Sequence, residues 1–196
     1  MDFAWTSEQE SIRKRAASFA ANHVAPYASQ WDKNAHFPEE AVRACARSGL
    51  TGLTVPKELG GPGASPISYA LTITEIAAAC ASTAVTIAVT SMVAETIAKL
   101  GTPEQQERYI KPIVTGEFAA GSFALSEPGA GSDPSSMRTR GVYDGDSVII
   151  NGEKTWITSG THAGVFVVWA RTNEGKGTKG ISAFLVEPGD PGFRVG

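Results

Sequence analysis

The chain has 196 residues, and its 17 lysines and arginines against 20 aspartates and glutamates give a formal net charge of −3. This length is sufficient for one large or two small domains with buried cores, and an apolar content of 42% excludes a disordered chain. A pI near 5.6 argues against a protein whose main task is to bind nucleic acid.

The N-terminal residues 1–5, MDFAW, contain neither the basic segment nor the apolar segment of a secretory signal. We therefore expect a cytoplasmic protein, or a protein of the mitochondrial matrix if this is a mature eukaryotic chain. The two cysteines, Cys45 and Cys80, are by themselves too few for a disulfide scaffold or a four-ligand zinc site. No metal site is expected.

The first half of the chain has helical patterns. Ser7 and Glu10 have the spacing of a capping box before apolar residues at helical intervals, which predicts a helix start. Pro38 suits a first helical position and Gly49 suits the position beyond a helix end, so a second helix is predicted between them. Residues 55–63 are rich in glycine and proline and predict a loop.

Three further helices are predicted over residues 67–80, over residues 83–100, and from Thr102 onward. Residues 76–94 carry no charge, and this run is long enough to span a membrane. Alanine, serine and threonine dominate it, however, which is typical of a buried central helix. We predict no membrane span and assign residues 1–116 to an N-terminal all-α domain.

Beyond residue 116 the patterns change to strands and turns. Asp144-Gly145 between two short segments predicts a β-hairpin, and residues 165–170 and 181–186 have the composition of buried strands. Helices followed by strands indicate an α+β chain with two segregated domains. Residues 117–196 are therefore predicted to form a small antiparallel β-barrel or sandwich domain.

The first candidate motif is FALSEPGAGSD at residues 123–133. Gly129 and Gly131 permit positive φ and close approach of a ligand to the backbone. The hydroxyls of Ser126 and Ser132 can donate to carbonyl or phosphate oxygens. The motif lacks the third glycine and the following helix of a Rossmann fingerprint, and by itself an ordinary turn also explains it.

The second candidate motif is NGEKTWITSG at residues 151–160. Alternation along a strand places Trp156 and Thr158 on one face, about 7 Å apart. An indole beside a hydroxyl suits a flat heterocycle, because the ring stacks and the hydroxyl bonds the edge. A half-buried tryptophan of an ordinary β domain is the alternative for this segment alone.

Together, in this order and after a helical domain, the two motifs resemble the acyl-CoA dehydrogenase family. The resemblance runs over the whole chain and is sharpest at residues 125–133 and 154–158. It implies FAD-dependent α,β-dehydrogenation of an acyl-CoA thioester and the first two domains of a three-domain architecture. The cofactor-binding residues that it implies are Phe123, Leu125, Ser126, Gly131, Ser132, Trp156, Ile157 and Thr158.

The resemblance also has implications for substrate and catalysis. A carboxylate base is expected from a C-terminal helical domain beyond Gly196, so no catalytic residue is expected within this chain, which alone should be inactive. Glu127 is expected to make a structural bond to backbone within its turn. The residues implied in substrate binding are Ser132, at the cofactor phosphate or the CoA arm, and Val89, Thr90, Met92 and Val93, as walls for a short or medium acyl chain.

The implied partners are an electron-transferring flavoprotein as electron acceptor and further copies of the chain in a homotetramer, with a role in fatty acid or amino acid catabolism. The sequence leaves two alternatives to an acyl-CoA dehydrogenase open. One is an acyl-CoA oxidase or flavin monooxygenase of the same superfamily. The other is a non-catalytic binding module, if the chain genuinely ends at Gly196.

Overall fold

The structure is a computed structural model that describes residues 4–196; residues 1–3, on which part of the N-terminal expectation rests, lie outside the described residues. The chain forms two compact units, of which the first ends at Gly121 and the second runs from Ser122 to Gly196. This division lies five residues after the sequence-based boundary at residue 116. The predicted α+β class, a helical unit followed by a β unit, is confirmed.

Within residues 4–121, which the structure describes, the first unit contains six α-helices: α1 (Ser7–Phe19), α2 (Ala28–Lys33), α3 (Glu39–Arg47), α4 (Pro66–Ala79), α5 (Ala81–Leu100) and α6 (Pro103–Thr115). A π-helical turn, Ala20–Val24, extends α1, and a short 3-10 turn, Lys57–Leu59, lies in the predicted glycine- and proline-rich loop. The core contains Phe19, Val42, Leu50 and Ile87, all at most 6% exposed.

Helix starts follow the chemistry of their caps. The capping box at α1 is one residue earlier than predicted: Thr6 accepts from the Gln9 N–H at 3.2 Å, and the Gln9 side chain accepts from the Thr6 N–H at 2.9 Å. Thr6 has the extended backbone that a cap requires, whereas Ser7 is already helical. At α6, Thr102 and Gln105 form the same reciprocal pair, which confirms the predicted start.

Two other helix boundaries depend on single residues. Pro38 precedes α3 as its cap instead of occupying its first position, whereas Gly49, with φ of 66°, lies just beyond the helix end as predicted. Cys80 has an extended backbone, φ −160° and ψ 111°, and this one residue separates α4 from α5. The predicted helices over 67–80 and 83–100 are thereby confirmed to within two residues.

Helix α5 is the central helix that the composition predicts. By length and composition it could cross a membrane, but half of its apolar window is buried inside the protein, as is usual for a core helix. Nine of its residues, including Ile87, Thr90 and Val93, are buried. Gly121, at the end of the first unit, packs so closely that an added Cβ would lie 2.9 Å from Val93 Cγ1.

The β unit contains β1 (Ala120–Ala124), β2 (Arg140–Asp144), β3 (Ser147–Asn151), β4 (Ala163–Arg171) and β5 (Ile181–Val186). Their order in the sheet is β1-β4-β2-β3, and β5 also pairs with β4. The β2–β3 and β4–β5 pairs are antiparallel, whereas β2 and β4 meet in parallel at Arg140 and Arg171. The sheet is therefore mixed and not closed, so the predicted β domain is confirmed, although an antiparallel β-barrel or sandwich describes it only loosely.

Local signals in the β unit are confirmed. Strand β5 covers the predicted residues 181–186, and β4 extends the prediction by two residues at one end and one at the other. The β2–β3 hairpin turns through Gly145 and Asp146, because Asp144 pairs with Ser147, and the φ of 59° at Gly145 is the left-handed conformation that favours glycine at the first position of such a turn.

Candidate functional site

The first motif forms a tight turn after β1. The N–H of Glu127 donates to Ala130 O at 3.2 Å, and the N–H of Ala130 donates back to Glu127 O at 3.1 Å. Gly129 and Gly131 do not adopt positive φ, so the backbone does not use the freedom that glycine permits there. At both glycines a Cβ would meet no atom within 4 Å, so packing in the described structure does not require them. This backbone is open to close approach by a ligand.

Glu127 anchors the turn from inside. It is 6% exposed. Its carboxylate accepts from Arg138 N at 2.6 Å, from Thr139 N at 3.0 Å, from Thr139 Oγ1 at 2.5 Å and from Lys154 Nζ at 2.8 Å. Burial raises the pKa of this carboxyl, but the hydrogen bonds from Lys154 and Thr139 outweigh burial and lower it to about 2. The expected structural bond from Glu127 to backbone is confirmed.

The second motif is not the predicted strand. Trp156 and Ser159 have φ of 59° and 61°, and residues 158–162 form turns, so strand alternation does not apply. Two positive-φ residues redirect the chain, and its backbone pairs elsewhere: the Thr155 N–H donates to Ser126 O at 2.9 Å. The Trp156 side chain is left 92% exposed, and Thr158 is half-buried.

Three contacts join the two motifs within the β unit. Besides the Thr155 amide bond, Lys154 Nζ donates to Leu125 O at 3.0 Å, and just before the first motif Ser122 Oγ donates to Thr158 O at 2.6 Å. Lys154 also forms the ion pair with Glu127, with both side chains at most 10% exposed. The structure thus places side by side two segments that are about thirty residues apart in sequence.

The predicted cofactor residues lie on this joined surface with different exposures. Phe123 packs its ring 5.7 Å from that of Trp169, centroid to centroid. The half-buried members of the set are Phe123, Leu125, Ser126, Ile157 and Thr158, and the exposed members are Gly131, Ser132 and Trp156.

Comparison with known protein families connects this architecture to one of them. The family model described as "Acyl-CoA dehydrogenase, N-terminal domain" matches residues 6–117, and that described as "Acyl-CoA dehydrogenase, middle domain" matches residues 122–196. The chain belongs to the acyl-CoA dehydrogenase family. The two matched segments follow the helical and β units closely, so the resemblance seen in the motifs is confirmed for the whole chain.

Individual members of the acyl-CoA dehydrogenase family agree with this assignment. The short-chain specific acyl-CoA dehydrogenase of Clostridium acetobutylicum is 41% identical over 197 residues, covering 100% of this chain and 52% of the relative. A chain in the structure of the electron transferring flavoprotein of Acidaminococcus fermentans has a TM-score of 0.96 at 38% identity, covering 100% of this chain and 52% of that one.

A glutaryl-CoA dehydrogenase of Mycobacterium smegmatis, in complex with FADH2, has a TM-score of 0.90 at 30% identity, covering 97% of this chain and 48% of that one. The chain thus spans about half the length of the relatives it matches.

The residues present fit the flavin that the acyl-CoA dehydrogenase family implies. A tryptophan with 92% of its surface exposed is unusual in a folded domain, and positive φ is uncommon for a bulky residue. An indole held in this way offers a flat apolar face. The hydroxyls of Ser126 and Thr158 and the open backbone at Gly131 lie in the same two segments. A fused aromatic ring with polar edges and a phosphate tail matches this set of groups.

The four residues predicted to line the acyl chain have unequal exposures on α5. Met92 is 39% exposed and Val89 is half-buried. Thr90 and Val93 are fully buried: Thr90 Oγ1 accepts from the Gly121 N–H at 3.3 Å, and Val93 packs against the same glycine. Their role as cavity walls remains a prediction.

Three further acidic residues, one in the first motif and two on the central helices, have local partners. Asp133 caps a short 3-10 turn by accepting from the Ser135 N–H at 3.0 Å, and bonding to the Ser135 side chain lowers its pKa. Glu75 pairs with Arg13 at 2.8 Å, and Glu95 pairs with a lysine one turn further along α5.

Sequence reasoning did not identify the two residues that hold Glu127 in place, which are Lys154 in the second motif and Thr139 outside both motifs. A lysine two residues before a predicted aromatic site is a weak indication of an ion pair with a buried carboxylate, because lysine is rarely buried unless it is paired. The identity of that partner, 27 residues away, has no local signature.

Proposed function

We propose that this chain provides the flavin-binding part of an FAD-dependent acyl-CoA dehydrogenase, which acts by α,β-dehydrogenation of an acyl-CoA thioester. The observation that supports this most strongly is that the two motifs are hydrogen-bonded to each other at Ser126 and close to Thr158, and that Trp156 between these contacts is 92% exposed. A flat cofactor would cover that indole. Family membership supplies the chemistry that the site serves.

The chain's own residues have distinct roles in this proposal. Trp156 stacks on the ring system, and the Thr158 hydroxyl bonds its N5 edge. Ser126 and the backbone at Leu125 bond the pyrimidine edge, and Ser132 bonds the phosphates or the CoA arm. When bound, FAD accepts the hydride that leaves the β-carbon. Donors fixed in place before reduction stabilise the negative charge that reduction brings, since the protein does not have to reorganise.

Removal of the α-proton needs a carboxylate within hydrogen-bond reach of that carbon. Glu127 does not suit this role, because its two oxygens already accept four hydrogen bonds and its low pKa makes it a weak base. Asp133 is engaged as a turn cap. We propose that the base comes from outside these 196 residues, and that these residues alone do not turn over acyl-CoA.

Further parts of the proposal concern substrate and partners. A short or medium acyl chain is supported by the small side chains of α5 and by likeness to a short-chain specific relative. An electron-transferring flavoprotein is proposed as acceptor, since a chain of this fold occurs in such a structure. A homotetramer is proposed from the family resemblance.

The test begins with the purified protein and FAD. We expect binding with flavin absorbance and, once the base is supplied in cis or by a separate downstream chain, anaerobic bleaching by one or more members of an acyl-CoA series. A protein that takes up no FAD would contradict the proposal. Sustained turnover by residues 1–196 alone would contradict the placement of the base. Rapid reoxidation of the reduced flavin in air would favour an oxidase.

A further inference from the structure

Lys154 has an unusual environment for a lysine. Its side chain is 10% exposed, and its ammonium donates to Glu127 Oε1 at 2.8 Å and to Leu125 O at 3.0 Å. Lysine is rarely buried without a partner, because desolvation of the charge is costly. Here one ammonium group binds both a carboxylate and a main-chain carbonyl of the first motif, while its own backbone belongs to the second.

The bond to Leu125 has a consequence for the neighbouring residue. The Leu125–Ser126 peptide is trans and planar, so its C=O and N–H point in opposite directions. Lys154 holds the C=O and thereby directs the Ser126 N–H to the other side of the peptide. The next residue after Lys154, Thr155, donates its N–H to Ser126 O at 2.9 Å. Hydrogen bonds to Leu125 O and Ser126 O therefore fix the peptide groups on both sides of the Ser126 Cα.

We propose that Lys154 is a positioning residue of the flavin site, which fixes the Leu125–Ser126 peptide and the Trp156 loop together before the cofactor binds. This inference rests on the proposed flavin-binding function. The strained loop needs such an anchor, because Trp156 has positive φ and an exposed side chain that contributes no packing of its own. The anchor lies two residues before it.

The pair also controls the charge beside the site. Lys154 and Glu127 cancel each other, so the buried pair adds no net charge near a ring that becomes more negative on reduction. Removal of the carboxylate alone leaves a buried cation, which favours reduced flavin and raises its potential. Removal of both charges leaves the net charge of the pair at zero, so the flavin potential should remain close to that of the wild type. If the pair only held the two segments together, the flavin potential would not rise when the carboxylate alone is removed and return when both charges are removed.

Two variants separate position from charge. Lys154→Met combined with Glu127→Gln removes both charges, which avoids an unpaired buried ion, and eliminates the donor to Leu125 O. Glu127→Gln alone keeps that donor and unbalances the charge. Lys154→Arg keeps both the charge and the donors and is the conservative control. Thermal unfolding identifies a temperature at which each variant is folded.

The first measurement is hydrogen exchange of the Thr155 amide in the flavin-free protein, because its bond to Ser126 reports the joined state without any cofactor. We expect the double variant to lose protection there and Lys154→Arg to retain it. Unchanged protection in the double variant would overturn the inference, whether or not the protein binds flavin. This separates its failure from a failure of the proposed function, which the absence of FAD binding by the wild type would show.

The second measurement is the FAD dissociation constant together with the flavin potential. We expect the double variant to bind FAD about tenfold or more weakly, the scale of one lost charged hydrogen bond, with a potential close to wild type. We expect Glu127→Gln to bind within about threefold of wild type, half a logarithmic unit, but with a higher potential. Equal affinity of the double variant and wild type, or equal potentials for all proteins, would overturn the inference.

Discussion

The buried carboxylate of Glu127 makes the stability of the β unit sensitive to acid. The pKa of Glu127 is about 2 in the folded protein against an ordinary value of 4.5. A carboxyl with a depressed folded pKa stabilises the native state above its ordinary pKa, and this contribution is lost as pH falls towards the folded pKa. The shift of roughly 2.5 pH units corresponds to about 3 kcal/mol, of which about 2 kcal/mol should be lost by pH 3.

Urea unfolding of the wild type and Glu127→Gln at a series of pH values from 7 to 3 measures this contribution. Other carboxyls titrate in both proteins, so the difference between the two curves isolates Glu127. We expect the free energy of unfolding of the variant to be lower at pH 7 and the gap to narrow by about 2 kcal/mol at pH 3.

Thr139→Val provides a graded comparison for this experiment. It removes only the hydroxyl donor at 2.5 Å and keeps the backbone N–H donors and Lys154. Its acid-dependent loss should therefore be smaller than that of the wild type and larger than that of Glu127→Gln. Parallel curves for wild type and Glu127→Gln from pH 7 to pH 3 would refute the reasoning, because they would mean that the carboxylate gains nothing from its four donors.

Three further predictions concern binding, chemistry and packing. Trp156→Ala should weaken FAD binding by about 1–3 kcal/mol in a fluorescence titration, through loss of stacking and burial, whereas Tyr143→Ala, an exposed aromatic on the β2–β3 hairpin, should leave it unchanged. With the base supplied in cis or by a separate downstream chain, Thr158→Val should slow flavin reduction by the best thioester about tenfold to a hundredfold in stopped flow, and an unchanged rate would exclude the N5 role. Gly121→Ala should destabilise by about 1–3 kcal/mol in thermal or urea unfolding, because its Cβ would clash at 2.9 Å; Gly131→Ala, with open space, should preserve stability and weaken only FAD binding.

The elements that sequence predicted well are those whose signals are local. The start of α6 follows from Thr102 and Pro103, since cap and proline act on adjacent backbone groups. The hairpin at Gly145 follows from one Asp-Gly pair. Even the misplaced cap at α1 was wrong by only one residue, because Thr6 and Ser7 both carry a hydroxyl and only the backbone conformation decides between them.

The two segments that form the candidate site were identifiable from the sequence, but the geometry that joins them was not. The motifs identified the segments that the structure joins. The strand alternation failed at Trp156, however, because the sequence around this residue contains no signal for a positive φ, which is rare in tryptophan. The bonds that hold the segments, from Lys154 to Leu125 and from Ser122 to Thr158, cross 29 and 36 residues. Such pairings depend on the sheet bringing distant segments together, and no periodicity in the sequence encodes them.

The conformation of Trp156 connects the fold to the proposed function. Positive φ in a non-glycine residue costs about 1–3 kcal/mol, and such strain persists only where surrounding contacts fix it. The indole does not offset this cost within the β unit, because 92% of it is exposed; the contacts that fix the loop are made by its neighbours Thr155 and Thr158 and by Lys154. A buried ion pair and three hydrogen bonds therefore hold the loop that exposes this apolar ring to solvent. A flat ligand that covers the indole would bury an apolar surface that the fold leaves exposed, and this burial would contribute to the affinity for the ligand.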